Sequence, residues 1–335
     1  MSRTANDQPP EGAAILGVGL VLPDPTPALL PSAASPLLAL GPAHVCGDLP
    51  LVSVLPARAQ RRLGRAQRLA LGAAQQALDA CPQPPGPPEE VAVIVGTGLG
   101  CLGETAGFLE NMVQQDEREP MPARFINSVH NAPAAQISIA FGFRGENLTF
   151  THESISFELA LWQALALLRA GRTRYALVVG VDEISPYTIT ALRERTTLGE
   201  GAAALLLGPA REGLPRLLAV RARPLAERRP DPSAEADFVR GALLAAGRAP
   251  EDVDLILCGS SADGVLGIQR GTFGRLCGEF CTAPAVGFAL AARGVREGRV
   301  PDGVLLDGAL DRPLSSVAVY HLHEAGYQSI GLIAR

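Results

Sequence analysis

Residues 142–183, GFRGENLTFTHESISFELALWQALALLRAGRTRYALVVGVDE, carry the pattern of a strand, a tight turn, a buried helix and a second strand. Residues 147–151 (NLTFT) alternate and are rich in β-branched and aromatic side chains, which predicts the first strand. Residues 175–181 (YALVVGV) are apolar without alternation, which is typical of a buried strand in a parallel sheet covered on both faces. Between them, the helix presents a broad apolar face formed by Leu159, Trp162, Leu165, Ala166 and Leu168.

Three polar residues, His152, Glu153 and Ser154, lie on the turn before this helix. Ser156 is the predicted N-cap of the helix and Gly171 its predicted C-cap. A side chain on such a turn lies near the unpaired N–H groups of the first helical turn and near the positive end of the helix dipole. Nucleophiles and oxyanions are favoured there, so this turn is the candidate site.

The stretch resembles the nucleophile region of β-ketoacyl synthases, the thiolase-fold condensing enzymes of fatty-acid and polyketide assembly. In that family the turn carries an acylated cysteine, and Ser154 falls at its place. Residues 128–142 (SVHNAPAAQISIAFG) are similar to the segment that precedes the nucleophile strand, and residues 198–208 (LGEGAAALLLG) to the Gly-Glu-Gly-Ala strand that follows it. The resemblance covers residues 12–335, most strongly 91–210.

The resemblance implies an α/β, thiolase-like fold with two duplicated halves in an α-β-α-β-α layered arrangement. The expected division is a disordered tail at 1–11, an N-terminal half at 12–210 and a C-terminal half at 211–335. A weak internal repeat agrees with it, because sliding the chain along itself places Gly171-Arg172 on Gly298-Arg299. The strand at 91–98 (VAVIVGTG) likewise resembles 253–260 (VDLILCGS), and YALVVG resembles 302–308 (DGVLLDG), where a strand is predicted at 303–306.

Composition bounds the class of protein. With 335 residues, 47% hydrophobic and 19% charged, the chain is globular and long enough to bury a large core. The net charge is −5 and no basic run suggests a nucleic-acid-binding face. Apolar residues recurring at intervals of three and four predict a helix over residues 58–80. One arginine cluster recurs there at helical spacing, and two interpretations stay open: a solvated helix face, or a docking surface for an acidic acyl carrier protein. Its members are Arg58, Arg61, Arg62, Arg65 and Arg68.

Cysteine usage and hydropathy predict a cytoplasmic protein. The six cysteines form no secreted-type framework, no signal peptide precedes them, and no apolar run reaches the roughly 18 residues of a membrane span. Cys277 and Cys281, with Cys258 as a third candidate, could be considered as metal ligands, but the sequence offers no fourth ligand. They are therefore expected to be buried small hydrophobic residues. Gly96, Gly98 and Gly100 do not have the spacing of a dinucleotide fingerprint. No cofactor or metal is therefore expected.

The side chains that perform condensation in the resembled family are replaced here. Ser154 stands at the cysteine, Cys258 (in LILCGSSADG) at the first histidine, and Glu279 (in RLCGEFCTAPAVGFALA) at the second. A serine hydroxyl needs an adjacent base to become a nucleophile. A carboxylate at 279 would repel a malonyl carboxylate and its enolate. Ordinary decarboxylative condensation is therefore not expected of this chain alone.

His152 has two open interpretations. It is either a base for Ser154, two residues away on the same turn, or a turn residue facing solvent or an interface. His321 and His323 lie on one face of a C-terminal strand and match neither missing histidine.

Two functions follow from these features. The first is a catalytically degenerate subunit that resembles a chain-length factor and pairs with an active ketosynthase in type II fatty-acid or polyketide biosynthesis, polyene pathways among them. It would form a heterodimer or homodimer and would meet an acyl carrier protein. The second is a Ser-dependent acyltransferase or thioesterase on the same fold, with Ser154 as nucleophile and His152 or Glu279 as base.

Overall fold

The computed structural model describes residues 12–23, 43–47, 53–191, 198–225, 231–259, 266–306, 308–323 and 326–335. The tail expected at 1–11 lies outside the described residues. The strands are β1 Ala13–Val21, β2 Ala43–His44, β3 Val91–Gly96, β4 Asn147–Phe150, β5 Tyr175–Asp182, β6 Leu198–Gly199, β7 Gly201–Gly208, β8 Arg216–Pro224, β9 Leu255–Cys258, β10 Arg270–Thr272, β11 Ser316–His323 and β12 Tyr327–Ala334. The helices are α1 Ala57–Gln60, α2 Arg65–Asp79, α3 Leu102–Gln114, α4 Pro122–Ser128, α5 Ala132–Phe141, α6 Ser156–Arg169, α7 Pro186–Ala191, α8 Pro232–Ala245, α9 Gly274–Cys277 and α10 Pro284–Glu297.

Within the described residues, one large sheet has the strand order β10-β9-β11-β12-β8-β1-β7-β5-β3-β4. β1 pairs with β8 only through Ala13 and Ala14, so this short ladder joins two halves. Outward from β1, the first half runs β7, β5, β3 and β4, with two antiparallel pairs followed by two parallel pairs. Outward from β8, the second half runs β12, β11, β9 and β10 with the same sequence of pair directions. The same topology occurs twice, which confirms the predicted duplication.

Three hydrophobic clusters give the layers. The central cluster joins α6 and α10 to inward-facing residues of both sheet halves, such as Ile94, Val178, Leu257 and Val319. A second cluster packs α2 and α5 on the outer face of the first half, and a third packs α8 on the outer face of the second. The order is therefore helix, sheet, helix, sheet, helix, as expected. The exact division at 210/211 stays a prediction.

The two central helices occupy equivalent places. Phe157 of α6 and Phe288 of α10 contact each other with ring centroids 5.7 Å apart. Both helices are followed by a glycine in the left-handed region, Gly171 with φ 64° and Gly298 with φ 76°. These are the residues that the internal repeat aligned, and the left-handed conformation is the reason both are glycine.

Four local expectations are wrong. The helix expected from residue 58 begins at Arg65, because Gly64 is extended and its N–H donates to Gln67 Oε1 at 2.6 Å. Residues 303–306, expected as a strand, form only an isolated bridge between Gly271 and Leu305. The strand equivalent to β5 is β11 instead. Trp162 is exposed, since α6 buries the side that carries Phe157, Leu161 and Leu165. The sheet around β5 is mixed rather than parallel, because β5 is parallel to β3 and antiparallel to β7.

Candidate functional site

The Ser154 turn is a single 3-10 turn, Glu153–Ile155, between β4 and α6. Ser156, expected as the N-cap, is the first residue of α6 and fastens this turn. Its Oγ donates to the Glu153 carbonyl oxygen at 2.7 Å and accepts from the His152 N–H at 2.8 Å. Glu153 has φ 47°, a left-handed conformation that costs a non-glycine residue roughly 1 kcal/mol or more. Ser154 is therefore held at the start of α6 although the backbone conformation of Glu153 is unfavourable.

Two glycines let the neighbouring backbones approach the turn. A Cβ on Gly96, at the end of β3, would lie 2.7 Å from the Phe157 Cα and from the Ser156 oxygen. A Cβ on Gly98 would collide with the Cys281 side chain and lie 3.1 Å from the Glu153 oxygen. The start of α6 and the segment before α10 therefore converge on the loop after β3. The glycines serve close packing rather than nucleotide binding.

Ser154 Oγ is buried and has no hydrogen-bond partner among the described residues. His152, the possible base, makes its hydrogen bond elsewhere. Its Nε2 lies 3.0 Å from the Tyr327 hydroxyl and its ring meets the Tyr327 ring edge-on, with centroids 5.3 Å apart. Of the two interpretations of His152, this geometry favours the turn residue, here bound to β12.

Cys258 faces the outer layer of the second half. At the end of β9 it packs in the same cluster as Tyr320 and Val239, whereas its neighbour Leu257 faces the central cluster with α6. Burial raises the pKa of the Cys258 thiol to about 12, so the thiol stays protonated at neutral pH. The structure does not bring this side chain together with Ser154.

Glu279 lies in the strand-like segment before α10. Its backbone forms a parallel bridge with Leu198, and its carbonyl oxygen accepts from the Gly199 N–H at 2.9 Å. The residue is half-buried. Because Ser154 Oγ has no partner among the described residues, Glu279 is not its hydrogen-bonded base either.

Asp182, which sequence reasoning did not single out, joins the two halves behind the turn. The fully buried carboxylate accepts from Thr97 Oγ1 (3.0 Å) and from the N–H groups of Gly98 (2.8 Å) and Leu99 (3.1 Å). On the other side it accepts from the Thr282 N–H and Oγ1, both at 2.8 Å. Burial raises the pKa of Asp182, and these hydrogen bonds oppose the rise. An acidic residue ending an apolar strand, as in VVGVDE, was the available signal.

The next acidic residues are also structural. Glu183 accepts from the Ala66 N–H at 2.9 Å and the Gly103 N–H at 2.7 Å, so one carboxylate holds the N-termini of α2 and α3. Glu200 is fully buried and forms an ion pair with Arg65, which thus leaves the set of freely exposed arginines. The bond to Glu200 raises the pKa of Arg65.

A buried polar cluster, here called the Glu158 cluster, lies one helical turn after Ser154. It consists of Glu158 on α6, His321 and His323 on β11 and Ser329 on β12. Ser329 Oγ donates to Glu158 Oε1 at 2.7 Å and lies 2.9 Å from His323 Nε2, which is 3.4 Å from the same carboxylate oxygen. The rings of His321 and His323 are 4.3 Å apart. The spacing of His321 and His323 on one strand was visible in the sequence. Nothing in the sequence indicated that Glu158 would be their carboxylate partner.

His321 occupies the space beside Gly259. Tyr320 pairs with Cys258 between β11 and β9, so the next residues, His321 and Gly259, are neighbours. A Cβ on Gly259 would collide with the His321 ring, which also stacks on Phe273 at 6.0 Å. Burial lowers the pKa of His321 well below its usual value, and His323 lowers it further. An imidazole therefore lies immediately after the β9 end, although β9 itself carries none.

A cavity away from the Ser154 turn has a volume of about 430 Å³. It lies at the opposite end of α6 and is lined by residues such as Leu165, Leu168 and Arg169. Among the described residues, no group of three or more His, Cys, Asp or Glu side chains has a metal-binding arrangement. The helices in the described ranges include none that is long and apolar enough to cross a membrane.

Comparisons with known proteins agree with this architecture. Residues 50–201 match the family model described as "Beta-ketoacyl synthase, N-terminal domain". No curated protein sequence matches the chain. Among solved structures, the ishigamide ketosynthase/chain length factor superposes with TM-score 0.79 and 16% identity, covering 97% of this chain and 99% of that one.

Two further structures are complexes. The ketosynthase ApeO in complex with its chain length factor ApeC from Xenorhabdus doucetiae gives TM-score 0.73 and 17% identity, with 100% of both chains covered. A type II polyketide synthase acyl-carrier protein in complex with its ketosynthase, AntDE:AntF, gives TM-score 0.74 and 15% identity, covering 97% of this chain and 99% of that one. Residues 50–201 therefore resemble the N-terminal domain of β-ketoacyl synthases, and the described chain has the fold of the ketosynthase structures.

Proposed function

We propose that this chain is a catalytically degenerate ketosynthase-like subunit that acts as a chain-length-factor-type partner of an active ketosynthase in type II fatty-acid or polyketide biosynthesis. It works in the cytoplasm, with an acyl carrier protein as the third component. The observation that carries the proposal is an exposed apolar surface around the edge strand of the first half. It lies next to a site in which Ser154 Oγ has no hydrogen-bond partner among the described residues.

Exposed large apolar side chains are concentrated on the helices around the β4 edge of the sheet. Of the eleven large hydrophobic residues exposed within the described ranges, eight form what we call the apolar patch: Leu109, Val113, Met121, Phe125, Ile126, Val129, Ile139 and Trp162. They lie on α3, α4, α5 and α6 and between these helices. Monomeric proteins seldom expose a contiguous set of this size, and such surfaces mark protein interfaces.

The elements that carry the patch are contiguous. Phe108 of α3 and Phe125 of α4 have ring centroids 5.4 Å apart. The Asn147 amide on β4 donates to the Ala134 oxygen of α5 at 2.9 Å, and α6 packs against the other face of β4. β4 ends the sheet, so its outer edge offers unpaired backbone groups to a second chain. Trp162 and Ile139 flank that edge on either side.

The surface for the carrier protein is the exposed part of the arginine cluster. Arg58, Arg61, Arg62 and Arg68 are exposed, whereas Arg65 is held by Glu200. The Arg62 carbonyl oxygen accepts from Asn127 of α4 at 2.9 Å, so these arginines border the apolar patch. A basic rim beside an apolar face suits an acidic partner docking across the subunit junction.

The test is co-expression with a ketosynthase that retains the cysteine and both histidines, encoded by a neighbouring reading frame. Ile139→Glu places a charge in the patch at a side chain that is 72% exposed, so the fold is retained while assembly weakens by at least about tenfold. Leu244→Glu is the matched control, because Leu244 is 58% exposed and lies on α8, outside the patch. Size-exclusion chromatography and a titration of the complex measure the outcome.

The result that overturns this function is a stable monomer that ignores the ketosynthase, or equal assembly by both variants. A homodimer that dissociates in Ile139→Glu would support the proposed interface, but would mean that the partner is a second copy of this chain.

The enzyme alternative has its own readout: labelling of Ser154 by a fluorophosphonate or an activated acyl thioester, lost in Ser154→Ala. The absence of a base near Ser154 Oγ in the described residues predicts no labelling.

A further inference from the structure

The Glu158 cluster holds polar atoms that the protein itself does not satisfy. Glu158 is 1% exposed and His323 is fully buried, yet Glu158 Oε2 and His323 Nδ1 have no hydrogen-bond partner among the described residues. The same is true of His321 Nδ1 and of Ser154 Oγ, one helical turn earlier. Unsatisfied buried polar atoms cost about 1–3 kcal/mol each, so four in one neighbourhood call for a partner.

The positions of the protons follow from the bonds that are made. Ser329 has one hydroxyl proton, which it donates to Glu158 Oε1. The contact between Ser329 Oγ and His323 Nε2 then requires the proton on the nitrogen, so His323 donates from Nε2. When the imidazole of His323 carries only this one proton, its Nδ1 presents a lone pair. Glu158 Oε2 and His323 Nδ1 are both acceptors without a donor.

The cluster is next to the Ser154 turn and close to the surface. Glu158 follows Ser154 by four residues and lies in the first turn of α6, directly after the 3-10 turn that carries Ser154. His321 and Tyr327 are partly exposed, and His152 at the rim is exposed. A chain that enters beside the turn meets Ser154 first and the Glu158 cluster next.

We propose that the Glu158 cluster is a binding site for a hydroxyl group on an acyl chain, with Glu158 and His323 as the residues that select hydroxylated chains. The inference rests on the proposed function, since it assigns a substrate class to the acyl site of that subunit. The hydroxyl donates to Glu158 Oε2 or His323 Nδ1 and accepts from Ser154 Oγ.

The chemistry separates three kinds of chain. A hydroxyl both donates and accepts, so it satisfies a buried acceptor and the Ser154 hydroxyl together. A keto oxygen only accepts and leaves the carboxylate unpaired. A saturated chain satisfies none of these atoms and desolvates them, which a site of buried polar groups rejects strongly.

The experiment measures binding of three N-acetylcysteamine thioesters of equal length, octanoyl, β-ketooctanoyl and β-hydroxyoctanoyl, by calorimetry on the ketosynthase complex and on the chain alone. We expect the β-hydroxy thioester to bind about tenfold more tightly than the octanoyl one. The preference disappears in Glu158→Gln and in His323→Leu. Asp254→Asn is the control, because Asp254 is also a buried carboxylate but bonds Ser315 and Arg312 far from the turn.

Equal affinity for the three thioesters, no binding of any, or a preference that survives in both cluster variants overturns the proposal. Melting curves of each variant separate loss of the site from loss of the fold, and His323→Leu supplies a second reading if Glu158→Gln unfolds. Assembly with the ketosynthase is measured on the same preparations. A complex that assembles without hydroxyl preference refutes this inference alone, whereas absent assembly refutes the proposed function.

Discussion

At the scale of single residues, the candidate site combines side chains that make hydrogen bonds with buried polar atoms that have no hydrogen-bond partner among the described residues. Ser154 reaches the helix start through a strained Glu153, but no described side chain activates its hydroxyl. Imidazoles with buried nitrogens come instead from β11, where His321 fills the space beside Gly259. A histidine absent from one strand is thus present on its neighbour, in a position that sequence alignment by motif does not reveal.

The imidazole of His321 predicts a dependence of stability on pH. Its pKa is lowered in the folded protein, so the unfolded chain binds the proton first as the pH falls below about 6.5. Stability is therefore lost as the pH falls from that value toward the folded-state pKa, by up to about 1.4 kcal/mol for each pH unit. Urea unfolding of wild type and His321→Phe at pH values from about 7 down to 5 measures the slope, which should be shallower in the variant.

The exposed His130 provides the comparison. His130→Phe should leave the pH dependence as in the wild type, because His130 lies at the surface of the first half, outside the contacts of His321. Parallel slopes for wild type and His321→Phe would show that His321 does not carry this effect.

At the scale of elements, close approach of α6 to the end of β3 sets the position of the Ser154 turn. The contact depends on Gly96, where a methyl group would meet the backbone of Phe157 at 2.7 Å. Backbone cannot move aside as a flexible side chain can. The helix start therefore has one position relative to the sheet, and the turn inherits it.

Gly96→Ala should accordingly destabilise the protein by about 2 kcal/mol, through overpacking that pushes α6 away from β3. Gly241→Ala is the matched substitution, since Gly241 lies within α8 and a Cβ there meets nothing within 4 Å. It should stabilise by about 0.5–1 kcal/mol, because alanine is the better helix residue. Chemical denaturation of both variants decides the matter; equal effects would mean that the approach at Gly96 is looser than described.

At the scale of the whole molecule, the two halves are joined by buried polar groups as well as by the shared sheet. Asp182 belongs to β5 of the first half and binds Thr282 before α10 of the second. Glu158 of α6 binds Ser329 of β12. Both links cross the central layer, so we expect the halves to unfold together.

Asp182→Asn tests this link. An amide replaces one acceptor oxygen by an NH₂ group that faces donors, so buried hydrogen bonds are lost and stability falls by about 3 kcal/mol. Asp302→Asn, at an exposed position, should change stability by less than about 0.5 kcal/mol. Unfolding followed by fluorescence and circular dichroism should remain a single transition in the wild type. Two separate transitions there would contradict the coupling of the halves.

The amino-acid sequence by itself determined the strand, turn, helix and strand around Ser154, because apolar periodicity and glycine positions act locally along the chain. Its resemblance to β-ketoacyl synthases indicated the fold class and the duplication. It also indicated that Ser154, Cys258 and Glu279 replace the family's reactive side chains. Tertiary structure alone decided that Cys258 faces the outer layer, that His152 turns to Tyr327 and that Trp162 is exposed. It also brought Glu158 to His323, because contacts between residues far apart in the chain depend on how strands and layers pack, which no local pattern encodes.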